Sequence, residues 1–596
     1  MALVNDEDYV FTLSDGADVY INMYYDDGDS DRPIIGLGHG AGGDRTNQKV
    51  PAQGLAQQGF LAFTYDARGQ GAGRTGNADT LGLISWAGRT ILDQVEILDA
   101  VIARHAAKVN EAKIGWMGAS QGAIHTWAMM ALSEQVPHGL MRANRTEPFR
   151  KITAISPMGY GHDPLSVATG RGKGCPDPLI GIFADLSAVT TYVPTALTAF
   201  QAALNDGLPA FQEFIRGGSA DYLGMPSHMD RLVKQNLHTA VLAFLSTDDN
   251  WAPANATLEL AAHMNGRTFF DGDLSAASTP PKMVVHCGAY GNHRTTEVTA
   301  ETTARDNQQI AFFKSQLLDD DSELAANFGE GSPATWDAVP DVQFSVTPNN
   351  DADYILQAGP YADVYSRAAG YVNSAAFLMD STNSATNSDA LRLYFESNNT
   401  MIETAEVGEN NFTINNTWLS EKTLSDYTTA VGAGSVNYTW VAANLTEDAE
   451  DFTQGWLGAS DAILAGAPKA VFYASATRPG AVLNVEMYFR TGSGATANFI
   501  SGGQYVFPDD YTPRTIRRIE IELDVNVMHL DGAAGVDILF RVNNIPHKSP
   551  PYKSSYVGGV PIPPAFEDNS ITFYTGGSRA SYIDLPLHDD SLTTLD

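Results

Sequence analysis

Ile114-Gly115-Trp116-Met117-Gly118-Ala119-Ser120-Gln121-Gly122-Ala123-Ile124-His125 is the stretch on which the reading of the fold turns. An apolar run, Ile114 to Met117, meets Gly118-Ala119-Ser120-Gln121-Gly122 and continues into a helix-like run, Ala123 to Leu132. A serine between a strand and a helix, flanked by glycines, is the pattern of a nucleophile elbow. The backbone at the serine is strained, and the small neighbours let adjacent chain segments pass close by. G-x-S-x-G alone is a weak signal; the strand before it and the helix after it make it a sharp one.

Outward from the elbow the same architecture repeats. Pro33 to Gly38, Phe60 to Tyr65, Lys113 to Met117, Ile152 to Ser156, Ala240 to Leu245 and Met283 to His286 are short apolar runs without polar alternation. Strands buried on both faces look like that. Ile91, Val95, Leu98 and Ile102 share one helix face, and a closing helix is expected near Asp306 to Leu318. Alternating strands and helices predict a doubly wound, mostly parallel sheet, preceded by a hairpin that turns at Ser14-Asp15-Gly16.

A serine hydroxyl needs an imidazole base, itself oriented by a carboxylate. In an α/β-hydrolase these partners follow the serine in the order acid, histidine, each in the loop after a later strand. Ser246-Thr247-Asp248-Asp249-Asn250-Trp251-Ala252-Pro253 follows one strand and resembles G-x-x-D-x-x-V-P, which selects Asp249 with Asp248 as the alternative. After the last strand, His293 sits in a Gly-containing loop, whereas His286 lies at the strand's end and reads as a packed residue. The expected triad is Ser120, Asp249 and His293. Gly38-His39-Gly40-Ala41-Gly42-Gly43 matches the loop that supplies an oxyanion-hole amide, assigned to Ala41 with Gly40 as the alternative; the second amide is that of Gln121. Tyr65-Asp66-Ala67-Arg68-Gly69-Gln70-Gly71 is expected to form an Asp66–Arg68 network under the site.

Two stretches break the alternation. Residues 158–237 contain no strand-like run but Gly- and Pro-rich loops and helix-like segments, and are expected to form a helical cap inserted between residues 1–157 and 238–325 of the hydrolase domain. From 330 to 596, alternating runs such as Lys469 to Ala474 and Val482 to Phe489, separated by Gly, Asn, Asp and Pro, predict an antiparallel β-sandwich.

With these motifs in order, the chain resembles the cocaine-esterase/X-prolyl dipeptidyl-peptidase family of α/β-hydrolases. The likeness rests on Ser14-Asp15-Gly16, the loop at Asp66, the elbow at Ser120, the loops of Asp249 and His293, and the ending Ser581-Tyr582-Ile583-Asp584-Leu585-Pro586-Leu587. It implies a hydrolase domain, a helical cap and a C-terminal jelly-roll domain beside the site. Where members often carry an oxyanion tyrosine, this chain reads His39-Gly40-Ala41, which points to a hole made of two backbone amides.

Composition narrows the partners. With 36 basic and 70 acidic residues the formal charge is −34, a field that repels nucleic acid and anionic membranes. No apolar run is long enough to span a bilayer, and Met1 to Tyr9 is acidic and polar where a signal peptide is basic and then apolar. A soluble protein is expected, its compartment, cytoplasmic or extracellular, and its oligomeric state left open. The two cysteines, Cys175 and Cys287, form no disulfide framework, and neither a phosphate loop nor zinc-ligand spacing is present, so no cofactor or metal is expected.

The expected partner is a small-molecule ester cleaved through an acyl-enzyme on Ser120. The alternatives are amide cleavage, as by an X-prolyl dipeptidyl peptidase or an acylase, and a carbohydrate- or surface-binding protein with a vestigial triad. Within 158–237 the acids Asp163, Asp177, Asp185, Asp206, Glu213, Asp221 and Asp230 are dispersed. An aminopeptidase needs such acids gathered to hold an α-ammonium group, so their dispersal favours the ester.

Overall fold

The computed structural model describes residues 4–26, 28, 30–72, 89–136, 146–159, 232–246, 254, 257, 260, 264, 281–286, 299–328, 333–339, 342–344, 390–418, 445–446, 449–455, 462–479, 481–491, 498–508, 510–524, 526–530, 536–543 and 569–589.

Among them, nine strands form the first sheet: β1 (Val4–Thr12), β2 (Asp18–Asp26), β3 (Arg32–Gly38), β4 (Leu61–Tyr65), β5 (Val109–Ala119), β6 (Ala154–Met158), β7 (Ala240–Ser246), β8 (Lys282–His286) and β9 (Val342–Phe344). Their order across the sheet is β1-β2-β4-β3-β5-β6-β7-β8-β9. β1 and β2 pair as an antiparallel hairpin and β2 lies antiparallel to β4. From β4 onward every pairing is parallel. Every residue of β3 and of β4 is buried, as strands covered on both faces require.

The helices follow the sequence pattern. α1 (Lys49–Gln57), α2 (Arg89–Arg104), α3 (Gln121–Leu132), α4 (Thr299–Leu318) and α5 (Leu324–Asn327) are among the described α-helices. Ile91, Val95, Leu98 and Ile102 of α2 are all buried, and α3 is buried along its whole length. α4 begins seven residues before the expected Asp306, in a polar turn that carries no apolar period. Gly115 of β5 lets it pack closely: a Cβ there would lie 2.9 Å from the Phe313 ring and 3.0 Å from Leu317.

The first sheet and its core run past the limit expected at about 325. β9 pairs in parallel with β8, and Trp336 and Val339 join the cluster that holds Phe312, Phe313 and Phe328. Of the expected cap, only residues 158–159 and 232–237 are described; the helix-like segments around Thr195 to Leu204 and Pro209 to Ile215 lie outside the described residues.

From residue 390 on, all pairings among the described strands are antiparallel. The described strands make a ten-stranded and a four-stranded sheet. Leu393, Phe395, Phe472, Phe573 and Ile583 from the larger sheet share one buried cluster with Leu483, Val485, Met487 and Phe540 from the smaller, so the two sheets sandwich a common core. The ending Ser581 to Leu587 enters the strand Tyr582–Asp589, which pairs along Ala390–Tyr394.

Candidate active site

The carboxyl ends of β3, β4 and β5 lie side by side at the point where strand order reverses, the place where open α/β sheets form their clefts. Gly38, Tyr65 and Ala119 end these strands. The loops that leave them carry the HG stretch, the Asp66 loop and the elbow.

Ser120 stands between β5 and α3 with φ 54° and ψ −119°, a conformation that costs a non-glycine residue on the order of 1–3 kcal/mol. Serine at a helix N-cap ordinarily turns its hydroxyl back onto the first helical amides. Ser120 makes no such bond, although its amide donates to the Met158 carbonyl at 3.0 Å and its carbonyl accepts from Ala123 at 2.8 Å. The backbone is fixed while the hydroxyl is left free of its own helix.

The glycines explain why this backbone can be held. A Cβ on Gly122 would sit 2.3 Å from the Gly38 carbonyl oxygen, and one on Gly118 would sit 2.5 Å from that of Gly122. β3, the end of β5 and the first turn of α3 therefore touch backbone to backbone, which only glycine allows.

The HG loop is tied down by buried polar groups. His39 is 2% exposed; its Nε2 accepts the Ala67 amide at 3.0 Å, so its Nδ1 carries the proton and donates to the Gly40 carbonyl at 2.7 Å. Burial lowers the His39 pKa, opposed by the Gly40 bond and by Asp66 and Asp44. The imidazole acts as a neutral brace. Beyond it, the Gly43 amide closes a turn on the Gly40 carbonyl at 3.0 Å and the Gly42 amide donates to Gln70 Oε1 at 2.9 Å. Ala41 lies between them at the exposed tip.

The expected Asp66–Arg68 network divides into two. Asp66 accepts from the Arg45 amide at 2.7 Å, from Arg45 Nη1 at 2.8 Å and from the Ala72 amide at 2.8 Å. Gly71, at φ +55°, leaves room for this carboxylate, since a Cβ there would come within 2.4 Å of Asp66 Cγ. Arg68 instead makes a bidentate pair with Asp93 of α2 at 2.8 and 2.7 Å and reaches Asp15 at 2.9 Å. Burial opposes its charge, yet Asp93 and Asp15 hold the guanidinium above its ordinary pKa. Asp15 belongs to the Ser14-Asp15-Gly16 turn, whose Ser14 amide and hydroxyl both donate to Glu96 of α2. Two residues apart on one loop, Asp66 and Arg68 face different neighbours.

Gln70, Asp93 and the side chain of Gln121 were not among the expected site residues. Asp93 left a trace, an acid within the apolar period of α2. Gln70 and Gln121 left none, because their bond, Gln70 Nε2 to Gln121 Oε1 at 2.8 Å, joins residues 51 apart through two neutral amides.

β7 and β8 end at Ser246 and His286, paired in parallel on the same carboxyl edge as the elbow. Asp249 with its alternative Asp248, and His293, lie outside the described residues, as do Cys175 and Cys287. No helix among the described residues is long and apolar enough to cross a membrane.

No family model matches the chain, and no curated protein matches it. Solved structures do. An aminopeptidase from the marine sediment archaeon Thaumarchaeota archaeon superposes with TM-score 0.59 at 12% identity, over 98% of this chain and 96% of that one. A CocE/NonD family hydrolase from Staphylococcus aureus gives 0.59 at 14% identity, over 99% and 97%. An α-amino acid ester hydrolase gives 0.57 at 12% identity, over 98% and 97%. These likenesses establish the α/β-hydrolase fold and include the family that the sequence resembles.

Proposed function

We propose that the chain is a serine hydrolase that cleaves small carboxylic esters through an acyl-enzyme on Ser120. The observation that carries this reading is the elbow: a strained Ser120 at the carboxyl end of β5, fixed by glycine contacts, with a hydroxyl that declines to cap its own helix. In this reading His293 removes the hydroxyl proton as Ser120 Oγ attacks the ester carbonyl. Asp249 holds the imidazole in the tautomer that can accept it. The tetrahedral oxyanion takes hydrogen bonds from the amides of Gln121 and Ala41. The helix-opening amide of Gln121 has no partner one turn back, and the amides of Gly42 and Gly43 are spent on Gln70 and Gly40, which favours Ala41 or Gly40 as the loop donor. His293 then returns its proton to the leaving alkoxide, and water activated by the same base releases the acid.

Residues 158–237 are proposed to cap this edge of the sheet, and the sandwich to be a jelly roll that shapes the site without supplying a catalytic group. The solved structures it resembles include both an ester hydrolase and an aminopeptidase at similar likeness, so the preference for esters rests on the dispersed acids of 158–237.

A fluorophosphonate probe should label the chain at Ser120. Ser120→Ala should keep the fold, lose the label and lower kcat for p-nitrophenyl butyrate by about 10⁴-fold or more. Activity within tenfold of the parent would overturn the assignment. The ester preference fails if kcat/KM for Gly-Pro-p-nitroanilide equals or exceeds that for the ester.

A further inference from the structure

We infer that Gln70 is a positioning residue that ties the two halves of the oxyanion hole together through the side chain of Gln121. This rests on the reading of Ser120 as the nucleophile. The two amides that must converge on one oxygen come from segments far apart in sequence, the loop after β3 and the first turn of α3. Each has its own anchor: His39 and the Gly43 turn hold the base of the loop, and the glycine contacts hold the elbow. Gln70 is the side chain that bonds to both.

The bond directions can be derived. A backbone amide only donates, so the Gly42 N–H requires the oxygen end of the Gln70 amide, at 2.9 Å. That turns Gln70 Nε2 toward Gln121, whose oxygen end accepts it at 2.8 Å. Gln121 Nε2 is thereby left facing elsewhere, buried and without a hydrogen-bond partner among the described residues. One backbone donor at the loop tip thus orients two side-chain amides in series. Gln70 is fully buried and Gln121 is 4% exposed, so water does not compete for the bond between them.

The loop tip needs such a tie. Ala41 and Gly42 are exposed, and the loop is glycine-rich with no large apolar side chain of its own to seat it. An oxyanion donor acts only when it stands about 2.7–3.1 Å from the position the charged oxygen will occupy. The Gly42–Gln70–Gln121 chain fixes the distance between the loop and the residue that carries the second donor. Gln70 touches neither substrate nor reacting atoms in this account.

The test uses four full-length proteins: the parent, Gln70→Met, Gln121→Met and the double variant. Methionine keeps the length and volume of glutamine without its amide, and Gln121→Met retains the backbone donor. The measurements are the second-order rate of fluorophosphonate labelling, kcat and KM for p-nitrophenyl butyrate, and the thermal midpoint. Each single variant should lower the labelling rate and kcat by about ten- to a hundredfold, less than deletion of a whole donor, with KM within about threefold. The double variant should be no worse than the poorer single one, because both break the same link. If Gln70→Met does not fold, Gln121→Met still severs the tie at the elbow while sparing the Gly42 bond. A Gln70→Met labelling rate within twofold of the parent overturns the inference, as do losses that multiply in the double variant or appear in KM alone. A parent that is not labelled at Ser120 overturns the nucleophile itself, a different failure that is read from the first protein before any variant.

Discussion

The two halves of the molecule bury polar groups in different ways. In the first sheet β3 and β4 are buried at every residue, and five buried polar side chains gather just past the carboxyl ends of β3, β4 and β5: His39, Asp66, Arg68, Gln70 and Gln121. In the sandwich, strands such as Asn569–Thr575 alternate buried and half-exposed residues along their length. Polar residues there fall mostly on the outward row. One buried polar row is that of Asn484, Glu486 and Tyr488, opposite the core residues Leu483, Val485 and Met487, where Tyr488 donates to Glu486 and Asn484 bonds both Glu486 and Asn543. In the first sheet the loops at the carboxyl ends of the strands thus hold a cluster of large buried polar groups, and that concentrates fixed dipoles at one edge. An alternating sheet spreads them along its length.

The glycines test this contrast most severely. Gly122→Ala should destabilise the protein by more than about 3 kcal/mol and abolish labelling of Ser120, because the added methyl meets the Gly38 backbone, which cannot yield. Gly503→Ala in the sandwich, where a Cβ would lie 2.5 Å from the Glu522 carbonyl oxygen, should cost comparable stability while the protein that remains folded keeps its labelling rate. Gly54 in α1 has nothing within 4 Å of its missing Cβ, so Gly54→Ala should stabilise by about 0.5–1 kcal/mol. Denaturant midpoints read alongside labelling rates would break the comparison if Gly503→Ala lost the label as fully as Gly122→Ala.

Three bidentate arginine–aspartate pairs sharpen it. The side chains of Arg68 and Asp93 are each 5% exposed; Arg392 and Asp584 are 27% and 1%; Arg541 and Asp451 are 30% and 43%. Removing one partner deprives the other of a bidentate bond, and the penalty grows with how completely the pair as a whole is shut off from water. Asp93→Ala should cost about 3 kcal/mol or more. Asp584→Ala leaves a half-exposed guanidinium and should cost about 2 kcal/mol. Asp451→Ala should stay within about 1 kcal/mol. Chemical denaturation of the three variants gives the ranking, and a cost for Asp451→Ala equal to that for Asp93→Ala would show that burial does not set it.

What could be read in the sequence follows the same division. The six expected parallel strands and the buried face of α2 were legible because burial on both faces leaves unbroken apolar runs and burial on one face leaves a helical period. The elbow was legible because backbone contact demands glycine at fixed offsets. β9 was not, since three residues, Val342–Phe344, are too few to show any period and they follow an acidic and Gly-rich stretch. The start of β5 at Val109 was missed for a related reason: between the buried Val109 and Ile114 lie Asn110, Glu111, Ala112 and Lys113, half-exposed or exposed, which break the apolar run. The partners of Asp66 and Arg68 were misjudged because adjacency on a loop says nothing about the direction in which each side chain leaves it. The Gln70–Gln121 bond was invisible, as neutral amides carry no pattern in charge or hydropathy.

The smallest expected effect concerns the neutral brace under the HG loop. His39 has its pKa lowered by burial, so the folded protein binds its proton less readily than the unfolded chain does. Stability from this group is present above the unfolded value of about 6.5 and declines as pH falls below it toward the folded value. Protonation would also put a hydrogen on Nε2, which now accepts the Ala67 amide, and so set two donors against each other. One titrating group can contribute no more than about 1.4 kcal/mol per pH unit. His105 is lowered as well, by burial against the pull of Glu7, and acts in the same direction, so the parent carries both contributions. His39→Gln removes one of them and leaves the other. Between pH 8 and pH 5 the unfolding free energy of the parent should therefore fall more steeply than that of His39→Gln, with the curves parting below about pH 6.5. Parallel curves across that range would mean that His39 is protonated as easily in the folded protein as in the unfolded one, and that its place at the crowded end of the first sheet does not hold it neutral.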